Sequence, residues 1–127
     1  MKKVLVFDDE ENILEICEYI LTMKGFEVIT KQICTNVIED LKEVRPDIVL
    51  MDNWIPEIGG IEATQKIKNH PEFKNVPVVY FSANNDVQKL AEQAGADYFV
   101  AKPFDLNVLE EAVVRALDNS LLNQRNC

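Results

Sequence analysis

Basic residues are scarce in this chain. Thirteen Lys and Arg stand against 22 Asp and Glu, giving a net charge of -9 at pH 7. Direct nucleic-acid binding needs a basic face, so that class of function is excluded. Most of the acidity is ordinary solvated surface that favours solubility, and the rest belongs to a site. Cysteine is sparse too. Cys17, Cys34 and Cys127 are odd in number and form no CxxC pair. Cys17 falls on an apolar helical stripe and Cys34 near a strand-helix junction, as expected of packed, reduced thiols, and Cys127 is terminal and expected to be exposed. No stretch approaches a membrane span, and no early segment joins basic flanks to a long apolar run. The expected location is the cytoplasm, with no membrane partner. Internal repeats, low-complexity runs and linkers are missing, so nothing divides the chain.

What is present is a chain of 127 residues, 47% of them apolar, enough for one globular domain with a real core. Strand and helix alternate five times. Lys2 to Phe7 reads as a strand, and Ile13, Ile16, Cys17, Ile20 and Leu21 mark one face of a helix over 12–24, stopped by Gly25. A second strand over 26–30 leads to a helix capped by Thr35 or Asn36, with Pro46 beyond it. A third strand over 47–51 is apolar throughout, as expected where both faces are covered. Ile61, Thr64 and Ile67 pattern a helix ending near Asn69. Val76 to Phe81 is the fourth strand, 86–94 a short helix, and Tyr98 to Ala101 the fifth strand. A last helix, capped by Asp105, is expected to run to about Leu121, with a polar end that frays. This alternation implies an α/β fold with parallel pairing through right-handed crossovers.

Chemistry-bearing residues follow most of the strands: Asp8 and Asp9 the first, Asp52 the third, Ser82 the fourth, Lys102 and Pro103 the fifth. Strand ends of a parallel sheet converge on one edge, where such folds place their sites. Singly, each residue has a plain role: an aspartate caps a helix, a serine ends a strand, a lysine is solvated. Together, three carboxylates suit a hard divalent cation, while a hydroxyl and a compact ammonium suit phosphoryl oxygens. Without a cation the acids would repel one another.

The order of these residues resembles the receiver domain of two-component response regulators over essentially the whole chain. The matching motifs are Asp8-Asp9-Glu10, Leu50 to Pro56 with Gly60, Phe81-Ser82-Ala83, and Lys102-Pro103-Phe104. The resemblance implies a flavodoxin-like (βα)5 doubly wound sandwich with strand order 2-1-3-4-5, the domain over 1–121 and a tail over 122–127. It implies Asp52 as phosphoacceptor and Mg²⁺ held by Asp8, Asp9, Asp52 and the Trp54 carbonyl. Ser82 and Lys102 would contact the phosphoryl group, Phe99 would be the switch aromatic, and Pro103, Ala83 and Asn84 would shape the site. The implied donor is a histidine kinase or histidine phosphotransfer protein. The implied readout is a switched face of fourth helix, fifth strand and fifth helix that controls an effector protein, the chain being a monomer or a phosphorylation-dependent dimer. It would assist its own phosphorylation and dephosphorylation without being a multiple-turnover enzyme.

Three positions depart from the commonest pattern. Gly59 replaces a capping Asp or Asn before Gly60, Trp54 is large for its place, and Phe99 lacks a tyrosine hydroxyl. Trp54 either covers the phosphoryl group or stands outward as a partner contact. Two other readings stay open. A haloacid dehalogenase-like phosphatase shares metal and nucleophile but needs an acid where Trp54 stands, and a third reading keeps the fold as an interaction domain that signals without phosphate. Met1 directly precedes the first strand and little follows the fifth helix, so the expectation is either a complete single-domain regulator or a receiver cut from a longer regulator or hybrid kinase.

Overall fold

The computed structural model describes residues 2–54, 59–83, 86–102 and 106–125. Side chains of the last stretch are described over 107–118. Among the described residues ten elements alternate: β1 (Lys3–Phe7), α1 (Glu11–Met23), β2 (Glu27–Lys31), α2 (Val37–Val44), β3 (Ile48–Asp52), α3 (Gly60–Asn69), β4 (Val78–Ser82), α4 (Val87–Ala94), β5 (Tyr98–Ala101) and α5 (Leu106–Arg125). The strands form one parallel sheet in the order β2-β1-β3-β4-β5.

The alternation of side chains along each strand splits the core into two layers. Leu5, Phe7, Val49, Met51, Val78 and Tyr80 pack with buried residues of α2, α3 and α4. Val4, Val6, Ile48, Leu50, Val79, Phe81 and Val100 pack with those of α1 and α5 on the other face. The apolar run of the central strand is thereby explained, since every residue from Ile48 to Asp52 is buried.

Several boundaries differ from the sequence reading. β3 and β4 end on Asp52 and Ser82 themselves rather than one residue earlier. Pro77 has no N–H to offer the ladder, so β4 starts at Val78, whose N–H donates to the Asp97 carboxylate at 2.8 Å. Asn36, not Thr35, caps α2, its Oδ1 accepting the Glu39 N–H at 3.2 Å. The last helix does not stop near Leu121 but continues to Arg125. Its final turns carry no glycine or proline to end it. Cys17 and Cys34 are buried, and their surroundings push both thiols up to about 12, chiefly by desolvation. Cys127 and Asp105 lie outside the described residues. Among those described, no helix is long and apolar enough to cross a membrane.

Candidate functional site

The register aligns the ends of the inner strands: Phe7 lies opposite Met51, Asp52 opposite Phe81, and Ser82 opposite Ala101. The polar residues at these ends therefore share the carboxyl edge of the sheet. Continuing the alternation of Val6 and Leu50 puts Asp8 and Asp52 toward the α1–α5 side, while Ser82 follows Tyr80 toward the α3–α4 side.

Lys102 joins the acids. Its ammonium lies 2.6 Å from Asp8 Oδ2 and 3.0 Å from Asp52 Oδ1, and all three side chains are at least nine-tenths buried. The same ammonium stands 4.9 Å from the centre of the Phe81 ring, a cation–π contact. Its backbone is tied down as well, because the Lys102 N–H donates to the Ser82 carbonyl at 2.8 Å. Asp8 Oδ1 accepts the Glu10 N–H at 2.8 Å, closing the turn that leads into α1. Neither Asp8 nor Asp9 is the N-cap of that helix; Glu10 holds the position, without a side-chain cap. One carboxylate oxygen from each of Asp8, Asp9 and Asp52 falls within 4.8 Å of the others.

Three acids around one ammonium leave the cluster short of positive charge. Burial pushes the Asp52 carboxyl up to about 6, with the charge of Asp8 adding to the rise and Lys102 opposing it. Burial raises Asp8 too, against the hydrogen bond from Lys102. Desolvation pulls Lys102 down, but its hydrogen bonds and charge attraction to both aspartates outweigh that and hold it above its ordinary value.

The segment after Asp52 is pinned at several points. The Trp54 N–H donates to Asp52 Oδ2 at 3.2 Å. The Asn53 N–H donates to the Phe81 carbonyl at 3.2 Å, and the Asn53 carbonyl accepts the Gly60 N–H at 3.1 Å. On the side chain, Asn53 Oδ1 accepts the Tyr80 hydroxyl. Gly60 permits this because α3 comes in against β3: a Cβ there would lie 2.2 Å from the Asp52 carbonyl oxygen. Gly59, the N-cap of α3, has φ +82 and ψ 152, a conformation that glycine accepts and side-chain-bearing residues disfavour. The glycine that replaces the capping Asp or Asn is thus compatible with this backbone and leaves α3 without a side-chain cap.

The remaining site candidates differ in exposure. Ser82 is buried at the end of β4, and Ala83 is exposed beside it. Phe99 is 40% exposed on β5, its ring 6.3 Å from that of Tyr98. Trp54 is 74% exposed, so the indole stands mainly in solvent, as the contact reading expects. Asn84, Pro103 and Phe104 lie outside the described residues. Sequence reasoning passed over Tyr80, which read only as strand. The available signal was a phenol inside a fully buried strand, because a buried hydroxyl requires a partner.

The fold and this edge cluster together point to the receiver class of signalling modules. Residues 4–114 match the response regulator receiver domain, and the chain belongs to that family. It is 33% identical over 111 residues to the CAI-1 autoinducer sensor kinase/phosphatase CqsS of Vibrio cholerae, covering 85% of this chain and 16% of that protein. It is 32% identical over 119 residues to the regulatory protein AtoC of Escherichia coli, covering 92% of this chain and 25% of that one. The chain thus spans a quarter or less of the length of these two relatives. A solved response regulator receiver domain protein from Clostridium thermocellum superposes with a TM-score of 0.84 at 27% identity, covering 96% of this chain and 98% of that one.

Proposed function

We propose that this receiver accepts a phosphoryl group on Asp52 from the phosphohistidine of a histidine kinase or histidine phosphotransfer protein, and that the modification switches its face of α4, β5 and α5. The observation that carries the reading is the Asp52 carboxylate, buried at the end of the central strand, 3.0 Å from Lys102 and within reach of Asp8 and Asp9.

An Asp52 carboxylate oxygen forms the new bond to phosphorus as the phosphorus–nitrogen bond breaks and the imidazole leaves. Such transition states spread negative charge over the equatorial oxygens, so alignment and charge neutralisation do most of the work. Lys102, already between Asp8 and Asp52, is positioned to follow the charge onto the phosphoryl oxygens, and Ser82 offers a hydroxyl at the next strand end. The cluster fits a hard cation, since it gathers carboxylate oxygens in excess of its one ammonium. Asp8, Asp9, Asp52 and the Trp54 carbonyl would hold Mg²⁺, which supplies further neutralisation. The chemistry makes the protein an assistant in its own modification and its later hydrolysis, not an enzyme turning over an outside substrate, and its place is the cytoplasm.

The proposed readout is supported by the groove between β5 and α5, about 210 Å³ and lined in part by Tyr98, Phe99, Val108 and Ala112. Phe99 on its rim is the aromatic that would turn inward as Ser82 moves toward the phosphoryl group. An effector protein would read that face.

Incubation with Mg²⁺ and a small phosphodonor tests the assignment. One acid-stable, base-labile phosphate is expected on the wild type and none on Asp52→Asn. Full labelling of Asp52→Asn at the wild-type rate overturns it. Sustained hydrolysis of phosphomonoesters by the pure protein would instead favour the phosphatase reading, despite Trp54 standing where that class needs an acid.

A further inference from the structure

Tyr80 belongs to the core, yet its one polar atom serves the site. The residue is fully buried in β4, opposite Met51, in the layer that packs against α2, α3 and α4. From there the hydroxyl reaches past the strand end to Asn53 Oδ1, the residue between the phosphoacceptor and Trp54. Burial and the nearby charge of Asp52 push the phenol upward, so it stays protonated and remains a donor.

Asn53 is thereby held from three directions: β4 through the Phe81 carbonyl, α3 through the Gly60 N–H, and the core through Tyr80. Its neighbours on both sides are groups the phosphorylation reading uses, the Asp52 carboxylate and the Trp54 backbone. Trp54 itself contributes an N–H to Asp52 Oδ2, while its ring stands in solvent. With the indole largely exposed, the Trp54 peptide is joined directly to Asn53 and hydrogen-bonded to the Asp52 carboxylate.

We propose that the Tyr80 hydroxyl is a positioning group for the phosphorylation site, holding Asn53 so that the Asp52 carboxylate and the Trp54 carbonyl are aligned before a cation or a phosphodonor arrives. The inference rests on the reading of Asp52 as a Mg²⁺-assisted phosphoacceptor. It adds a determinant inside the sheet, on the strand that also carries Ser82. An interaction prepared in advance lowers the ordering cost of binding. Tyr80→Phe removes one oxygen and leaves the ring to fill the core, whereas Asn53→Ala removes the bond from its other end. The two variants should therefore agree.

Three readouts on the full chain test the idea. In the metal-free protein, the backbone amides of Asn53 and Trp54 should exchange several-fold faster in Tyr80→Phe. Mg²⁺ titration, followed by the fluorescence of Trp54, the single tryptophan of the chain, should give a Kd raised about 3- to 10-fold in each variant, or roughly 0.7–1.4 kcal/mol. The double variant should be no weaker than either single one, because both delete the same bond. At saturating Mg²⁺ the phosphorylation rate should recover most of the wild-type value, a split that general loosening of the core would not produce. Wild type that takes up phosphate, together with Tyr80→Phe of unchanged Mg²⁺ affinity and unchanged amide exchange, overturns the positioning role alone. Additive losses in the double variant do the same. Wild type that neither binds Mg²⁺ nor takes up phosphate overturns the site reading and this proposal with it.

Discussion

Among single residues, Lys102 and Asp52 carry most of the electrostatic argument. A carboxylate buried beside a second carboxylate costs stability, and one ammonium shared between them repays only part. Asp52 is held near 6 against an ordinary 3.8. Between about pH 4 and pH 6 the folded protein therefore binds more protons at this position than the unfolded chain does. Stability contributed here falls as pH rises through that window and stays low above it. Metal-free Asp52→Asn is accordingly expected to melt higher than wild type at pH 7.5, by about 5 °C or more for a domain of this size. The gap should close toward pH 4, where wild-type Asp52 is neutral. Thermal melts across that range check the sign, and a wild type that melts above the variant at pH 7.5 refutes it. Cation binding should follow the opposite course, weakening below pH 6 as protons compete for the same oxygens.

At the scale of elements, the junction of β3 with α3 decides the geometry of the site. The helix begins close enough that a methyl group at Gly60 would overlap the Asp52 carbonyl, with a 2.2 Å approach to backbone rather than to a yielding side chain. Gly60→Ala should cost at least about 2 kcal/mol by overpacking, and Mg²⁺ affinity should drop with it because the Gly60 N–H to Asn53 bond is strained. Denaturant unfolding measures the first effect and a metal titration the second. A variant as stable as wild type would show that α3 can shift freely away from β3. Gly95 supplies the contrast: a Cβ there meets only the Lys68 side chain at 3.9 Å, and the constraint is its φ of +83. Two glycines at helix ends are thus needed for different reasons, one for space and one for backbone conformation.

On the scale of the whole molecule, the site and its proposed readout are joined by the sheet. Asp52, Ser82 and Lys102 occupy neighbouring strand ends, and β5 carries Lys102 at its exit and Phe99 three residues earlier. If phosphorylation draws Ser82 and Lys102 together as proposed, it acts on β4 and β5 at once, and a switch needs a two-state element biased by such local contacts. Hydrogen exchange with and without a beryllofluoride phosphoryl mimic should change over Asp86 to Lys102 and stay nearly constant over β2 and α2. Identical protection over Asp86 to Lys102 would remove the support for that output face.

Much of this protein was legible in the chain itself. Period-two and helical patterns gave the alternation, continuous apolar runs gave a sheet covered on both faces, and the polar residues after most of the runs marked the edge where a site forms, because these signals are local. The acids at Asp8, Asp9 and Asp52 and the lysine at 102 could be joined only through the parallel topology, which strand alternation already implies. Tertiary structure alone decided the rest. Lys102 bridges two aspartates distant in sequence, Phe81 lies under its ammonium, Tyr80 reaches Asn53, and Gly60 meets β3 backbone, all through register and layer packing that no local pattern encodes. Trp54 stands out in solvent for the same reason: its neighbours along the chain do not determine which surface lies beside it.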